Sequence, residues 1–175
     1  KSWGELVMGF GLLFIGLEFL KMSVPDVSSN PEVLGWLSQY AHMGYVGYIL
    51  FMLIGTLLTI LIQSSSATMA LTLVMCNSGW INFDMAAAMV LGENLGTTIT
   101  ANVAALVANT NARRAARAHL IFNLVGVVWM IIVFPFFLKG VAFLMKEMGG
   151  GNPFETSNAI PVALALFHTL FNVLN

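Results

Sequence analysis

The chain of 175 residues is 58% hydrophobic, only 9% charged, and carries a net charge of −1 at pH 7. Soluble domains carry nearer a quarter charged residues, so this sequence has too little charge to cover a water-exposed surface. The near-neutral balance also provides no basic face for nucleic acid. A mean hydropathy of +0.86 and a charge-free stretch from Val33 to Phe83 predict an all-α polytopic protein of the cell membrane, with the lipid bilayer as its solvent.

Two apolar segments in the first third of the chain predict membrane helices. The first is Val7–Met22 and the second is Gly44–Ile62. Prolines and turn residues from Ser23 to Val33 predict a loop between them, and Leu34–Ala41 is expected to form a short interfacial helix.

Three apolar pieces that follow are too short to cross a bilayer. Ala67–Cys76 reaches only about 15 Å as a helix. We expect a second piece at Met85–Leu91, with Asp84 as its N-cap. The polar and glycine-rich Gly92–Thr98 separates it from a third piece, Ile99–Ala108. Such interruptions are tolerated at membrane depth where they are buried or line a cavity, so they predict re-entrant or broken helices.

The strongest basic cluster of the chain lies in a predicted loop that includes Arg113–Arg117. The positive-inside rule places this loop in the cytoplasm. The uncharged Ala118–Leu138 reaches roughly 32 Å as a helix and is expected to cross outward. An external loop at Lys146–Asn158 and a further membrane helix at Ala159–Asn175 complete the expected order of elements.

Four adjacent polar residues, Gln63–Ser66, interrupt the apolar runs. A helix that begins inside the membrane leaves its first N–H groups unpaired and points the positive end of its dipole into the break. Hydroxyls there donate to an anion or turn their oxygen toward a cation. The segment GENLGTT adds the Asn94 amide and the hydroxyls of Thr97 and Thr98. No lysine or arginine lies in either segment, so the pattern predicts an ion and oxyanion site of the kind found in secondary transporters.

Simpler interpretations of these residues remain open at this point. Serine and threonine commonly bond to their own helix or hold helices together, and the GENLG segment is also a G-x-x-x-G packing motif. Glu93 must bind a cation, accept a proton or reach water, because an unpaired buried carboxylate is costly. His119 and His168, which share the spacing H-x-x-F-N, are interpreted as packing or helix-end residues.

The combination of motifs resembles the sodium/phosphate cotransporter family, which includes the type II transporters and their bacterial relatives. The resemblance is carried by QSSSAT, by GENLGTT about thirty residues further on, and by R-x-x-x-A-H-x-x-F-N ending at Asn123. It implies two inverted repeats that each carry QSSS. The chain would then be one transmembrane transport domain, residues 1–175, and a fragment of a longer polypeptide. Its partner would be the other repeat or a second copy.

The resemblance implies a binding site for inorganic phosphate and Na⁺. The implied substrate-binding residues are Gln63, Ser64, Ser65, Ser66, Asn94, Thr97 and Thr98. The expected Na⁺ ligands are Gln63, Ser65, Ser66, Glu93, Asn94 and Thr97. Glu93 stands where the family pattern has a small residue.

The expected function is sodium-coupled phosphate uptake by alternating access, and we expect no enzyme activity. A sodium-coupled carrier of another anion and a phosphate exporter are the alternatives. A non-transporting membrane scaffold is a third class. An intramembrane serine hydrolase is disfavoured, because QSSSA lacks the flanking glycines of a nucleophile turn.

Overall fold

The computed structural model describes residues 2–24 and 43–175, together with Glu32, Gly35 and Tyr40. Every regular element within these residues is helical, which confirms the all-α prediction. The elements in chain order are α1 (Ser2–Ser23), α2 (Tyr45–Ile62), α3 (Ser65–Asn77), α4 (Phe83–Ala105), α5 (Thr110–Glu147), a 3₁₀ turn (Ser157–Ala159) and α6 (Ile160–Leu174).

Four of the described helices are long and apolar enough to cross a bilayer: α1, α2, α5, and α6 with the turn before it. The predicted membrane helices Val7–Met22, Gly44–Ile62 and Ala159–Asn175 are therefore present, with bounds that differ by a few residues. The predicted interfacial helix Leu34–Ala41 and most of the loop Ser23–Val33 lie outside the described residues.

The prediction of two short helices at Met85–Leu91 and Ile99–Ala108 is wrong. The single helix α4 runs for 23 residues and passes through Gly92–Thr98 without a break. It is the central helix of the bundle, since every residue from Ala86 to Leu91 is fully buried. The polar and glycine content of Gly92–Thr98 thus serves packing and cavity lining, and it does not interrupt the helix.

Close packing against α2 explains the glycines of α4. A Cβ atom on Gly92 would collide with the Met52 carbonyl oxygen, and one on Gly96 would lie 2.8 Å from the Thr56 carbonyl oxygen. The Thr56 hydroxyl lies within hydrogen-bonding distance of two carbonyl oxygens, that of Met52 in its own helix at 2.9 Å and that of Gly92 across the same interface at 3.1 Å. The G-x-x-x-G segment therefore lets two backbones approach, as it does in many membrane helix pairs.

The contacts of α2 with α4 give the direction of each helix. Gly55 of α2 meets Met89, and Thr59, one turn further along, meets Gly96, so α2 and α4 run in the same direction. The intervening α3 runs the opposite way, because it is joined to α4 by the tight turn at residues 78–81. The chain therefore reverses sharply at Gln63, which confirms the predicted broken helix at that position.

Asparagine caps begin both α4 and α5. The Asn82 side chain accepts a hydrogen bond from the Met85 N–H at 3.2 Å, so Asn82 is the N-cap of α4 and the prediction of Asp84 is wrong. Asp84 instead lies in the first turn, where its charge faces the positive end of the helix dipole. Asn109 caps α5 in the same way, accepting from the Ala112 N–H at 2.9 Å.

The basic cluster Arg113–Arg117 lies in the first turns of α5, so the prediction of a loop there is wrong. The Arg113 guanidinium donates to the carbonyl oxygens of Leu106 and Ala108, at 2.8 and 3.1 Å, and so binds the C-terminal end of α4. The predicted span Ala118–Leu138 is the middle of this 38-residue helix. At about 57 Å, α5 is longer than a bilayer core, and it extends into the segment predicted as an external loop.

We expect Gly92→Ala to lower the midpoint of thermal unfolding of the detergent-purified protein. Alanine favours a helix by about 1 kcal/mol over glycine, yet its Cβ atom would meet the α2 backbone, and overpacking costs about 1–3 kcal/mol. Gly140→Ala in α5 is the matched control, since a Cβ there meets no atom of another helix within 4 Å. Equal midpoints for the two variants would show that α2 and α4 do not pack this closely.

Candidate functional site

The helix break between α2 and α3 contains a strained residue. Gln63 has φ 57° and ψ 26°, and it is the only non-glycine residue with positive φ in the described part of the chain. Its N–H donates to the Thr59 carbonyl oxygen at 2.8 Å. A left-handed conformation costs a non-glycine residue roughly 1–2 kcal/mol. Strain of this kind concentrates at functional positions, so the use of glutamine in place of glycine here favours a role for its side chain.

Two substitutions of Gln63 separate backbone strain from side-chain chemistry. Gln63→Gly should unfold at a higher temperature than Gln63→Ala, because glycine adopts the left-handed region without steric cost. The expected difference is about 1 kcal/mol, read from thermal unfolding of the two purified variants. A glycine variant less stable than the alanine variant would mean that Gln63 is not left-handed in the membrane-embedded protein.

A cavity of about 630 Å³ opens beside this break, between α3, α4, α5 and α6. Nine of its eleven lining residues have polar side chains, and no described lysine or arginine contributes to it. The lining residues are Ser65, Ser66, Met69, Glu93, Asn94, Thr97, His119, Phe122, Asn123, His168 and Asn172.

Five of the residues that the sequence singled out meet in this cavity: Ser65 and Ser66 from α3, and Glu93, Asn94 and Thr97 from α4. They come from the two separate polar segments, and the antiparallel arrangement of α3 and α4 brings them to the same level. The alignment of these segments therefore follows from the reversal of the chain at the helix break.

Three other predicted residues lie outside the cavity lining. Gln63 lines a neighbouring pocket of about 530 Å³, which shares Thr97 with the main cavity. Ser64 is the N-cap of α3, and its hydroxyl oxygen accepts from the Ala67 N–H at 3.2 Å. Thr98 is buried, and its hydroxyl donates to the Leu95 carbonyl oxygen at 2.7 Å.

One side of the cavity offers hydrogen-bond donors. Ser65 and Ser66 are the first residues of α3, so their N–H groups have no partner within the helix, and the positive end of the helix dipole faces the cavity. The Asn94 Nδ2 atom is buried and has no hydrogen-bond partner among the described residues. A buried unpaired donor of this kind costs about 1–3 kcal/mol unless a ligand or water meets it. This side is suited to an anion.

Threonine hydroxyls bond to their own helix, as one of the simpler interpretations expected. The Thr97 hydroxyl donates to the Glu93 carbonyl oxygen at 2.9 Å. Its hydrogen is therefore turned away from the cavity, and its oxygen retains lone pairs that can face a cation. Back-bonding and ion binding are thus compatible at Thr97.

Glu93 is buried, with 3% of its surface exposed, and it lies in the middle of α4. Its Oε1 atom accepts from the Thr72 hydroxyl of α3 at 3.0 Å, and that hydroxyl also lies 3.0 Å from the Thr68 carbonyl oxygen. One hydroxyl hydrogen cannot serve both acceptors fully. If the Thr72 hydroxyl donates to the Thr68 carbonyl oxygen, its contact with Glu93 is a full hydrogen bond only when the Glu93 carboxyl is protonated and donates to the Thr72 oxygen.

The cavity also contains residues that the sequence interpretation missed. His119 and Asn123 from α5 and His168 and Asn172 from α6 all line it. Neither histidine lies at a helix end, so of the two interpretations only packing stays open. The repeated H-x-x-F-N spacing was the available signal, because a spacing of four residues places histidine and asparagine on one face of a helix.

A bundle of apolar helices around a polar cavity at a helix break is the architecture of a membrane transport protein. The family model described as Na⁺/Pi-cotransporter matches residues 36–149, and the chain belongs to this family. This family is one of multi-pass membrane transporters and not of enzymes, which confirms the expectation of no enzyme activity.

Curated relatives include bacterial and mammalian proteins. The uncharacterized protein YqeW of Bacillus subtilis is 30% identical over 99% of this chain and 51% of its own length. YjbB of Escherichia coli, provisionally named an inorganic phosphate export protein, is 31% identical over 97% of the chain and 28% of its own length. The human sodium-dependent phosphate transport protein 2C is 37% identical over 58% of the chain and 16% of its own length. The chain thus spans about half or less of the relatives it matches. No solved structure matches it.

Proposed function

We propose that the chain is one repeat of a sodium-coupled transporter of inorganic phosphate, and that phosphate and Na⁺ bind in the cavity beside the helix break. The observation that carries the proposal is the meeting of α3's N-terminus, the unpaired Asn94 amide and the Glu93 carboxyl in one cavity. The names of the relatives support phosphate as the substrate. Residues 1–175 act as a single transport domain, completed by the other repeat or by a second copy.

Phosphate is held by neutral donors in this proposal. Ser65 and Ser66 line the cavity, where their hydroxyls can donate to an oxyanion. The Asn94 Nδ2 group adds a third donor, and the dipole of α3 favours negative charge at the same place. Gln63 and Ser64 shape the break that points these donors at the substrate.

Sodium offsets the charge that the donors cannot neutralise. Oxygen ligands are available from the Thr97 hydroxyl, the Asn94 carbonyl group and the Glu93 carboxyl, which lie along one face of α4. Serine oxygens from α3 and the Gln63 carbonyl group, in the pocket that shares Thr97, complete the candidate set. Binding of the cation next to the anion couples the two, because each lowers the electrostatic cost of burying the other. Thr98 supports α4 from its buried side.

The basic cluster Arg113–Arg117 sets the orientation in the membrane. We place the junction of α4 and α5 on the cytoplasmic side, by the positive-inside rule. Alternating access then exposes the cavity to each side in turn. Phosphate export is the second candidate function, favoured by the provisional name of YjbB.

Transport by the intact protein reconstituted into liposomes tests the proposal. An inward Na⁺ gradient should drive accumulation of radiolabelled phosphate, and an equal K⁺ gradient should not. Efflux from phosphate-loaded liposomes with the gradient reversed distinguishes an exporter. Absence of phosphate flux under either gradient would refute the proposal.

A further inference from the structure

Two copies of one short sequence pattern form a wall of the cavity. HLIFN, starting at His119, belongs to α5, and HTLFN, starting at His168, belongs to α6. In both copies the histidine and the asparagine line the cavity. One wall of the cavity is therefore built twice from the same local arrangement.

The same hydrogen bond holds each asparagine. The Asn123 Nδ2 atom donates to the His119 carbonyl oxygen at 3.1 Å, and the Asn172 Nδ2 atom donates to the His168 carbonyl oxygen at 2.8 Å. Only the nitrogen side of an amide can face a carbonyl oxygen, so chemistry determines the orientation of both amides. The Oδ1 atom of each amide is left as an acceptor.

The ionisable groups of the cavity are few. Helix α4 contributes Glu93, α5 contributes His119 and α6 contributes His168, whereas α3 contributes only two serines and a methionine. Arg113 and Arg117, at the start of α5, line a different pocket. Protonated imidazole is therefore the only positive side-chain charge available from the described lining. Imidazole is also the side chain that changes its charge near neutral pH.

We propose that His119–Asn123 and His168–Asn172 are ligand-binding pairs in which the imidazoles donate to a tetrahedral oxyanion and the amide oxygens accept from its hydroxyl group. The proposal rests on the proposed function, since it requires an oxyanion in this cavity. Binding then strengthens as the histidines gain protons, because the positive charge next to the anion increases. Histidines that only pack would leave the pH dependence of binding unchanged.

The test compares the phosphate KM of the wild-type protein with that of the double variant His119→Gln/His168→Gln in liposomes. Phosphate itself changes its protonation near neutral pH, and this affects both proteins equally. The readout is therefore the ratio of the two KM values at each pH. We expect the ratio to rise as the pH falls and to reach roughly tenfold where the imidazoles are protonated, the loss of one charge-assisted hydrogen bond. The single variant His168→Gln, measured in the same way, should show a smaller rise of the KM ratio. It keeps the test possible if the double variant does not fold.

Thr169→Val is the matched control. Thr169 is the neighbour of His168, is exposed, and uses its hydroxyl on the Ala165 carbonyl oxygen of its own helix. Its KM should follow the wild-type profile. A KM ratio that stays constant with pH in the histidine variants would overturn the role of the histidines alone. A wild-type protein that transports no phosphate would overturn the proposed function together with this inference.

Discussion

Ser65→Ala should raise the KM for phosphate by about 5- to 150-fold, the equivalent of about 1–3 kcal/mol for a lost hydrogen bond to a buried partner. Ser65 is the first residue of α3 and lines the cavity, and the substitution removes its hydroxyl without changing the helix backbone. The measurement is initial phosphate uptake by reconstituted protein at saturating Na⁺, with the amount of inserted protein determined separately.

Ser23→Ala is the control for this substitution. The Ser23 hydroxyl donates to the Phe19 carbonyl oxygen at the exposed end of α1, far along the chain from the cavity. Its uptake kinetics should match those of the wild-type protein. Unchanged kinetics for Ser65→Ala would remove Ser65 from the binding site and would weaken the assignment of the helix break as the phosphate site.

Glu93→Gln should change the ion dependence of transport without preventing folding. Glutamine keeps the shape of the side chain, and its carbonyl oxygen can still accept from the Thr72 hydroxyl. If Glu93 binds Na⁺, the Na⁺ concentration for half-maximal uptake should rise by about tenfold, the equivalent of about 1.4 kcal/mol. If Glu93 carries a proton, as the two acceptors around Thr72 suggest, the pH profile should flatten while the Na⁺ titration stays the same.

Both titrations are measured on phosphate uptake in liposomes, one at fixed pH and one at fixed Na⁺. Glu147→Gln provides the control, because Glu147 is exposed at the end of α5 and is remote from the cavity lining. A Glu93→Gln protein that matches the wild type in both titrations would show that the carboxyl is only a tolerated buried group.

The helix break was predictable because four adjacent polar residues beside an apolar segment too short to cross a bilayer are harder to explain by helix packing than a single serine is. The continuity of α4 was not, because glycine and small polar residues occur both in helix breaks and at tight helix contacts. Only the position of the Met52 and Thr56 carbonyl oxygens, on a helix distant in sequence, distinguishes the two cases. The loop predicted around Arg113–Arg117 was wrong for a similar reason, because the charge of this segment indicates membrane topology but not whether the backbone is helical.

The chemistry of the site was partly readable from residue types. Hydrogen-bonding side chains in the two polar segments identified five residues that the structure brings to one cavity: Ser65, Ser66, Glu93, Asn94 and Thr97. The histidines were set aside, because a single histidine on an apolar helix gives no indication of what it faces. Their shared cavity depends on how α5 and α6 pack against α4, which local sequence patterns do not encode.

A structure of the intact protein determined in lipid with phosphate and Na⁺ present tests the central claim most directly. The account predicts density for a tetrahedral anion in the cavity, within hydrogen-bonding distance of the Ser65 hydroxyl and the Asn94 amide, with α3 still beginning at the helix break. Phosphate bound elsewhere, with this cavity filled by side chains from the rest of the polypeptide, would contradict it.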